Sequence, residues 1–335
     1  MRGELDDLLT DEQLEAHVAA SWLAAAASKL ATLREEGLPL WPELYFISDV
    51  RLLAGVMQGA EFVKLGTGPR TDDTVIKALK DCAPLAQGGW VIFVESSGDN
   101  LTYGLLSPTN LPLALTPYEA LVETAGGLPC VVIRRVAESC VEVQGGRGNR
   151  ICLYMSDQRS DTPSPMGAIE KFCGAATRTV VEPARADTTR YLYRTLVSQL
   201  IESHGTLMAV QSGLRRKIPE QLSDCVRLPQ PLSIARRIAE YREHKDEEAV
   251  AKIASATALL KGMLGSDGII LFRSDASITA YRAFLRLRAS SQLVAPGGAR
   301  RRTFEGLKTL VGRELEAVLM RSQDGLTEFY GSNDA

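Results

Sequence analysis

Gly265-Ser266-Asp267-Gly268, followed by Ile269-Ile270-Leu271-Phe272, decides how the second half of this chain folds. Four consecutive apolar residues entered through Asp-Gly predict a buried strand, because Asp and Gly favour turns and the run needs cover on both faces. A turn at Ser274-Asp275 and the run from Ile278 to Phe284 predict the returning strand of a hairpin. Upstream, Asp246 to Leu264 carries Val250, Ile253, Ala256 and Leu260 at helical spacing, and Ser233 to Tyr241 reads as another helix after Pro231. Further upstream, a helix from about Asp187 to Ser203 has Tyr191, Leu192, Leu196, Leu200 and Ile201 as its apolar stripe. It leads into a buried strand at Gly205-Thr206-Leu207-Met208-Ala209-Val210, which Gln211-Ser212-Gly213 breaks. Helix, strand, helices and hairpin in this order predict an α/β domain with a mixed β-sheet flanked by helices.

About thirty residues beyond Asp267 stands Gly297-Gly298-Ala299-Arg300-Arg301-Arg302. Phe304, Leu307, Val311, Leu315 and Val318 recur at three- and four-residue steps, which predicts one amphipathic helix starting near Thr303. A helix N-terminus carries partial positive charge and exposed N–H groups, so three arginines are unfavourable there unless an anion compensates them. An acid at a strand entrance and arginines at a helix start are the residue types that hold a polyphosphate and its metal.

The chain has 335 residues, of which 45% are hydrophobic and 24% charged, enough for two globular domains. A net charge of -3 gives no global basic field, so non-specific nucleic-acid binding is not expected and any affinity for anions is local. Six cysteines, at positions 82, 130, 140, 152, 173 and 225, include no Cys-x-x-Cys pair, and histidine occurs only at 17, 204 and 244. That pattern supports neither a zinc site nor a disulfide framework. No apolar segment approaches the roughly 20 residues of a membrane span, and the acidic start is unlike a secretory signal; no membrane partner and a cytoplasmic location are expected.

The first half reads as an α+β domain over residues 1–165. Thr10 or Asp11 can cap a helix with Leu14, Val18, Trp22 and Ala25 on one face, ending at Glu36-Gly37. Trp90 to Val94 and Leu101 to Leu106 flank Ser96-Ser97-Gly98-Asp99-Asn100 as one hairpin. Val131 to Val136, Val141 to Val143 and Ile151 to Tyr154 read as further hairpin strands. The turn Gly145-Gly146-Arg147-Gly148-Asn149 lacks the Gly-Lys-Ser/Thr ending of a phosphate loop and no helix follows it. Ser156 to Pro165, rich in Ser, Asp, Thr and Pro, reads as a surface connection, and the second domain spans 187–331.

The order of Gly205-Thr206-Leu207-Met208, Asp267-Gly268-Ile269, Gly298-Ala299-Arg300-Arg301-Arg302 and Ser322-Gln323-Asp324-Gly325 resembles the diadenylate cyclase family. That family has a Gly-rich strand, an Asp-Gly-Ala motif, a Gly-Thr-Arg-His-Arg motif and a Ser-Glu-Glu turn in this sequence. The resemblance covers about Asp187 to Gly331. It implies a domain that binds ATP, or another nucleotide, and pairs with a second copy in a homo-oligomer, so that two ATP molecules condense to cyclic di-AMP and pyrophosphate. It further implies that Asp267 binds Mg²⁺ or Mn²⁺ and positions the attacking hydroxyl, with Asp324 as a second metal carboxylate. Arg300 and Arg302 would hold phosphate oxygens, Gly268 and Gly298 would allow close approach, and Gly205, Thr206, Ile269, Arg301, Thr303 and Ser322 would line the substrate.

Besides Ile269, which stands where the family has alanine, four positions depart from the family pattern. Ala299 replaces threonine, Arg301 replaces histidine, and Gln323-Asp324 replaces the two glutamates. A catalytically degenerate nucleotide-binding switch is therefore the alternative to a cyclase. The first half, in the place where this family carries sensor regions, is expected to be a soluble sensor or dimerisation domain. The basic run Gly213-Leu214-Arg215-Arg216-Lys217 reads as a solvated loop able to steer anions, and His204 as a structural neighbour of the Gly205 strand.

Overall fold

A computed structural model describes residues 2–57, 59–107, 112–123, 129–137, 140–155, 164–202, 205–213, 217–286, 298–322 and 325–332. The chain is an α/β protein that divides into two compact units, Met1–Thr162 and Pro163–Ala335.

The first unit begins with helices α1 (Arg2–Glu12) and α2 (Ala20–Ala31) and a short hairpin, β1 (Arg34–Glu35) and β2 (Leu38–Pro39). There follow β3 (Glu43–Ile47), α3 (Val50–Val56), β4 (Glu61–Pro69), α4 (Asp72–Cys82), β5 (Val91–Ser97), β6 (Asn100–Ser107), α5 (Pro117–Glu123), β7 (Cys130–Ala137), β8 (Cys140–Gly145) and β9 (Arg150–Tyr154). The sheet order is β4-β6-β5-β3-β7-β8-β9, with β3 and β5 parallel and the other neighbours antiparallel. Alternation builds two cores from single strands: Leu44 and Phe46 of β3 pack in the core that includes α1, α2 and α4, while Tyr45 and Ile47 pack with residues of α3 and α5.

The single helix expected from Thr10 to Glu36 is broken: the span holds the end of α1, all of α2 and the strand β1. Gln13, with φ +58°, cannot continue a right-handed helix, and Glu12 turns inward at the end of α1. Its carboxylate accepts the N–H groups of Arg147 at 2.7 Å and Asn149 at 3.1 Å, which fastens α1 to the β8–β9 turn. A Cβ on Gly145 would meet Glu12 Cδ at 2.1 Å, so this turn needs glycine for packing rather than for phosphate.

The second unit contains α6 (Pro165–Ala176), α7 (Ala184–Glu202), β10 (Thr206–Gln211), β11 (Asp224–Ser233), α8 (Ile234–His244), α9 (Glu247–Leu264), β12 (Ile269–Arg273), β13 (Ser277–Phe284), α10 (Ala299–Lys308), β14 (Leu315–Arg321) and β15 (Thr327–Gly331). Its sheet order is β11-β13-β12-β10-β14-β15. β10 and β12 are parallel, joined through β11, α8 and α9, and the β12–β13 hairpin is antiparallel. Asp246 caps α9 by accepting from Ala249 N–H at 2.8 Å. Helix α6 begins at Ser164 and Pro165, inside the stretch that reads as a connection in sequence, and Phe172 meets Phe272 of β12 edge to face at 5.4 Å.

The helix expected from Thr303 through Val318 is shorter and earlier. α10 stops at Lys308, Gly312 takes φ +83°, and Leu315 and Val318 lie on β14, paired on both sides by β10 and β15. A central strand is apolar throughout, so its residues also satisfy a helical spacing.

Candidate functional site

Strand pairing brings three of the four motif segments to one end of the second sheet. Leu207 stands opposite Ile269 in the parallel pair, so Thr206 and Gly268 come level at the amino ends of β10 and β12. Thr206 faces Arg321 at the end of β14, and Arg321 faces Thr327 at the start of β15. Ala283, near the end of β13, faces Ile269. The fourth segment arrives on α10, whose Phe304 and Leu307 pack with Leu207, Val318 and Met320. Arg301 in its first turn pairs with Glu328 of β15, the residue opposite Met320, so this turn reaches the same end of the sheet.

Asp267 follows the C-terminus of α9, is exposed, and makes no hydrogen bond or ion pair with a described residue. The partial negative charge at a helix C-terminus favours a cation beside it. Gly268 has φ +98°, and a Cβ there would lie 2.8 Å from Arg282 Cα and 3.1 Å from Ala283 O. The glycine is thus required by the sheet itself, where β13 bulges between the Ile269–Ala283 and Leu271–Ala280 pairs. Ile269 is buried among Leu207, Phe304 and Met320, so its side chain faces the core and not the open end.

Gly205 precedes β10 with φ +100°, a conformation that favours glycine. The adjoining Thr206 is 2% exposed, and its hydroxyl is buried without a hydrogen-bond partner among the described residues. Arg321 beside it is also buried and donates from Nη1 to Thr327 Oγ1 at 2.9 Å and to Gly325 O at 3.3 Å. Ser322 closes the β14–β15 turn through its N–H to Leu326 O at 2.8 Å. Asp324 and Gln323 lie outside the described residues, as do Gly297, His204 and Leu214-Arg215-Arg216.

Gly298 is the N-cap of α10 and makes no side-chain cap, and no acid stands in the first turn. Its φ of -72° suits any residue, and a Cβ there meets nothing within 4 Å. Neither backbone nor packing requires this glycine, in contrast to Gly268. Arg300 and Thr303 are partly buried and Arg302 is exposed. Arg301 is taken up by the fold: it pairs with Glu305 at 3.0 Å and with Glu328, and its guanidinium lies 5.9 Å from the Phe304 ring centroid.

Sequence reasoning missed Arg282. It is exposed beside Gly268, has φ +50°, and makes no hydrogen bond or ion pair with a described residue. Within Tyr281-Arg282-Ala283-Phe284 nothing distinguishes it from a solvent-facing strand residue; only the bulge does. Among the described residues no group of three or more His, Cys, Asp or Glu is placed to hold a metal. A Mg²⁺-type site needs only one or two carboxylates besides the phosphates, and Asp267 fits as one of them. No helix among the described residues is long and apolar enough to cross a membrane.

No family model, no curated protein and no solved structure matches this chain.

Proposed function

We propose that the second unit is a diadenylate cyclase domain and the first a sensor or dimerisation domain that controls its pairing. The observation that carries this reading is the convergence of Gly205-Thr206, Asp267-Gly268, the first turn of α10 and Ser322 on one end of one sheet. Those segments lie far apart in sequence, and a chance likeness in motif order would not require them to meet.

In this reading each domain holds one ATP, and two domains face each other. Each 3′-hydroxyl oxygen forms a bond to the α-phosphorus of the opposite nucleotide as the bond between the α-phosphorus and the bridging oxygen breaks, releasing pyrophosphate. Two such transfers close the ring of cyclic di-AMP. Asp267 orients the attacking hydroxyl and accepts its proton, while Arg300 and Arg302 hold phosphate oxygens; Arg282, which has no partner among the described residues, adds a further cation at the same end. A guanidinium offers paired donors in a rigid fork, so lysine is a poor replacement at 300 or 302. Mg²⁺ or Mn²⁺ held by Asp267 and the phosphates would neutralise charge on the polyphosphate.

A second reading, a nucleotide-binding switch without turnover, is favoured by one observation. Arg301, where the family has histidine, is held by Glu305 and Glu328, and Ala299 offers no hydroxyl. Incubation of the purified chain with ATP and either metal separates the two. A cyclic dinucleotide that falls about a hundredfold or more in Asp267→Asn supports the cyclase. Saturable ATP binding with no product under both metals leaves the switch, and absence of both defeats the nucleotide reading.

A further inference from the structure

We propose a second ligand site at the opposite end of the same sheet: a pocket for an aromatic phosphate monoester, formed where edge strand β11 bows away from β13 beside the carboxyl end of β12. The bow is written in the sequence. Arg227 pairs with Ala280 and Leu232 with Ile278, so five steps along β11 span two along β13. Pro229 and Pro231 lie in that interval and have no N–H to give to the ladder, which confines them to an edge strand or a bulge. Beside the separated strands lies a half-open cavity of about 460 Å³, within the size range of small-molecule sites.

The lining divides into an apolar wall and a cationic end. Ile218, Leu228, Pro229 and Pro231 are its apolar lining residues, and Arg227 and Arg273 its two cationic ones. Arg273 Nε is buried with no hydrogen-bond partner among the described residues. Its nearest ion-pair contact, Asp275 Oδ1, stands at 3.8 Å, beyond hydrogen-bond reach. The sealed Nε marks a guanidinium that the fold leaves short of acceptors, and an anion in the cavity would be met by the part of Arg273 that lines it. Two forks suit a phosphate dianion better than a single charge. Thr279 Oγ1 gives its proton to Gln211 Oε1 at 2.8 Å or Leu271 O at 3.2 Å, so the arginines and not this hydroxyl are the donors to the phosphate. Lys217, exposed and next in sequence to Ile218, adds positive charge at this end.

Arg273 is four residues along β12 from Ile269, or about 13 Å, so this pocket is separate from the nucleotide site and does not depend on it. Calorimetric titration of the full chain with phenyl phosphate, and with phenol and inorganic phosphate as half-probes, tests the assignment. We expect saturable binding of phenyl phosphate, weakened about tenfold or more in Arg273→Gln and in Arg227→Gln, with each half-probe weaker by a similar factor. Arg227 is exposed on an edge strand, so its variant should melt like the parent protein and report on the ligand rather than on folding. The proposal is overturned by no saturable binding to the parent chain, by binding that both variants leave unchanged, or by binding lost in Arg300→Gln with Arg302→Gln instead.

Discussion

In the sheet of the first unit Glu142 is fully buried, yet its Oε1 accepts from Arg134 Nε at 3.0 Å and Nη2 at 2.7 Å. The same Arg134 reaches Gln144 Oε1 at 3.0 Å, Gln144 donates to the Tyr118 hydroxyl at 2.8 Å, and that hydroxyl donates to Gly145 O. Burial pushes the Tyr118 hydroxyl up to about 12. In the sheet of the second unit Arg321 is held by Thr327 and Gly325, but four groups at its two ends have no such partner among the described residues: the Asp267 carboxylate, Arg282, the Thr206 hydroxyl and Arg273 Nε. The first arrangement spends its polar groups on one another and ties β7 to β8 and α5. The second leaves donors and acceptors open, and this is the physical ground for proposing ligand chemistry in the second unit.

The largest expected effect breaks the first arrangement. Glu142→Ala leaves Arg134 charged and buried, and should cost about 3–5 kcal/mol in a denaturant titration. If it costs under about 1 kcal/mol, water reaches this network and the contrast between the units weakens. Asp267→Asn should do the converse, leaving the denaturation midpoint where it was while cutting cyclic dinucleotide formation about a hundredfold or more, or roughly 2.7 kcal/mol of transition-state stabilisation. Gly268→Ala lies between them. It forces a Cβ against Arg282 Cα in a left-handed backbone, and should cost about 2 kcal/mol of stability whether or not nucleotide binds there.

Period and turn chemistry made the hairpins β5–β6 and β12–β13 legible, because Asp, Gly and Ser sit between apolar runs of strand length. They also marked β10 and α9. They could not separate α10 from β14, since Phe304, Leu307 and Val311 continue into Leu315 and Val318 at helical steps although the chain changes structure at Gly312. β4 was hidden for the opposite reason: as an exposed edge strand its apolar residues face solvent, and no alternation results. At the candidate site, Asp267 and the arginines were readable as residue types. Their partners were not. Arg301 looks like its neighbours in sequence, and only the folded position of Glu328 shows that it is occupied. Arg282 and Arg273 read as ordinary strand arginines until a bulge and a pair of prolines give them their surroundings.

The smallest effect offers the finest test of the contrast. Thr206→Val keeps the shape of a buried side chain and removes a hydroxyl that has no hydrogen-bond partner. An unsatisfied buried hydroxyl costs about 1–3 kcal/mol, so removing it should stabilise the chain, by roughly 1 kcal/mol after some relaxation. A hydroxyl kept at that cost should serve a ligand, and the same variant should then bind ATP several-fold less tightly. Higher stability together with weaker binding is the signature of a polar group reserved for function. Higher stability with unchanged ATP affinity would show that the Thr206 hydroxyl is a packing defect at the end of β10, and would narrow the nucleotide site to Asp267, Arg282 and the first turn of α10.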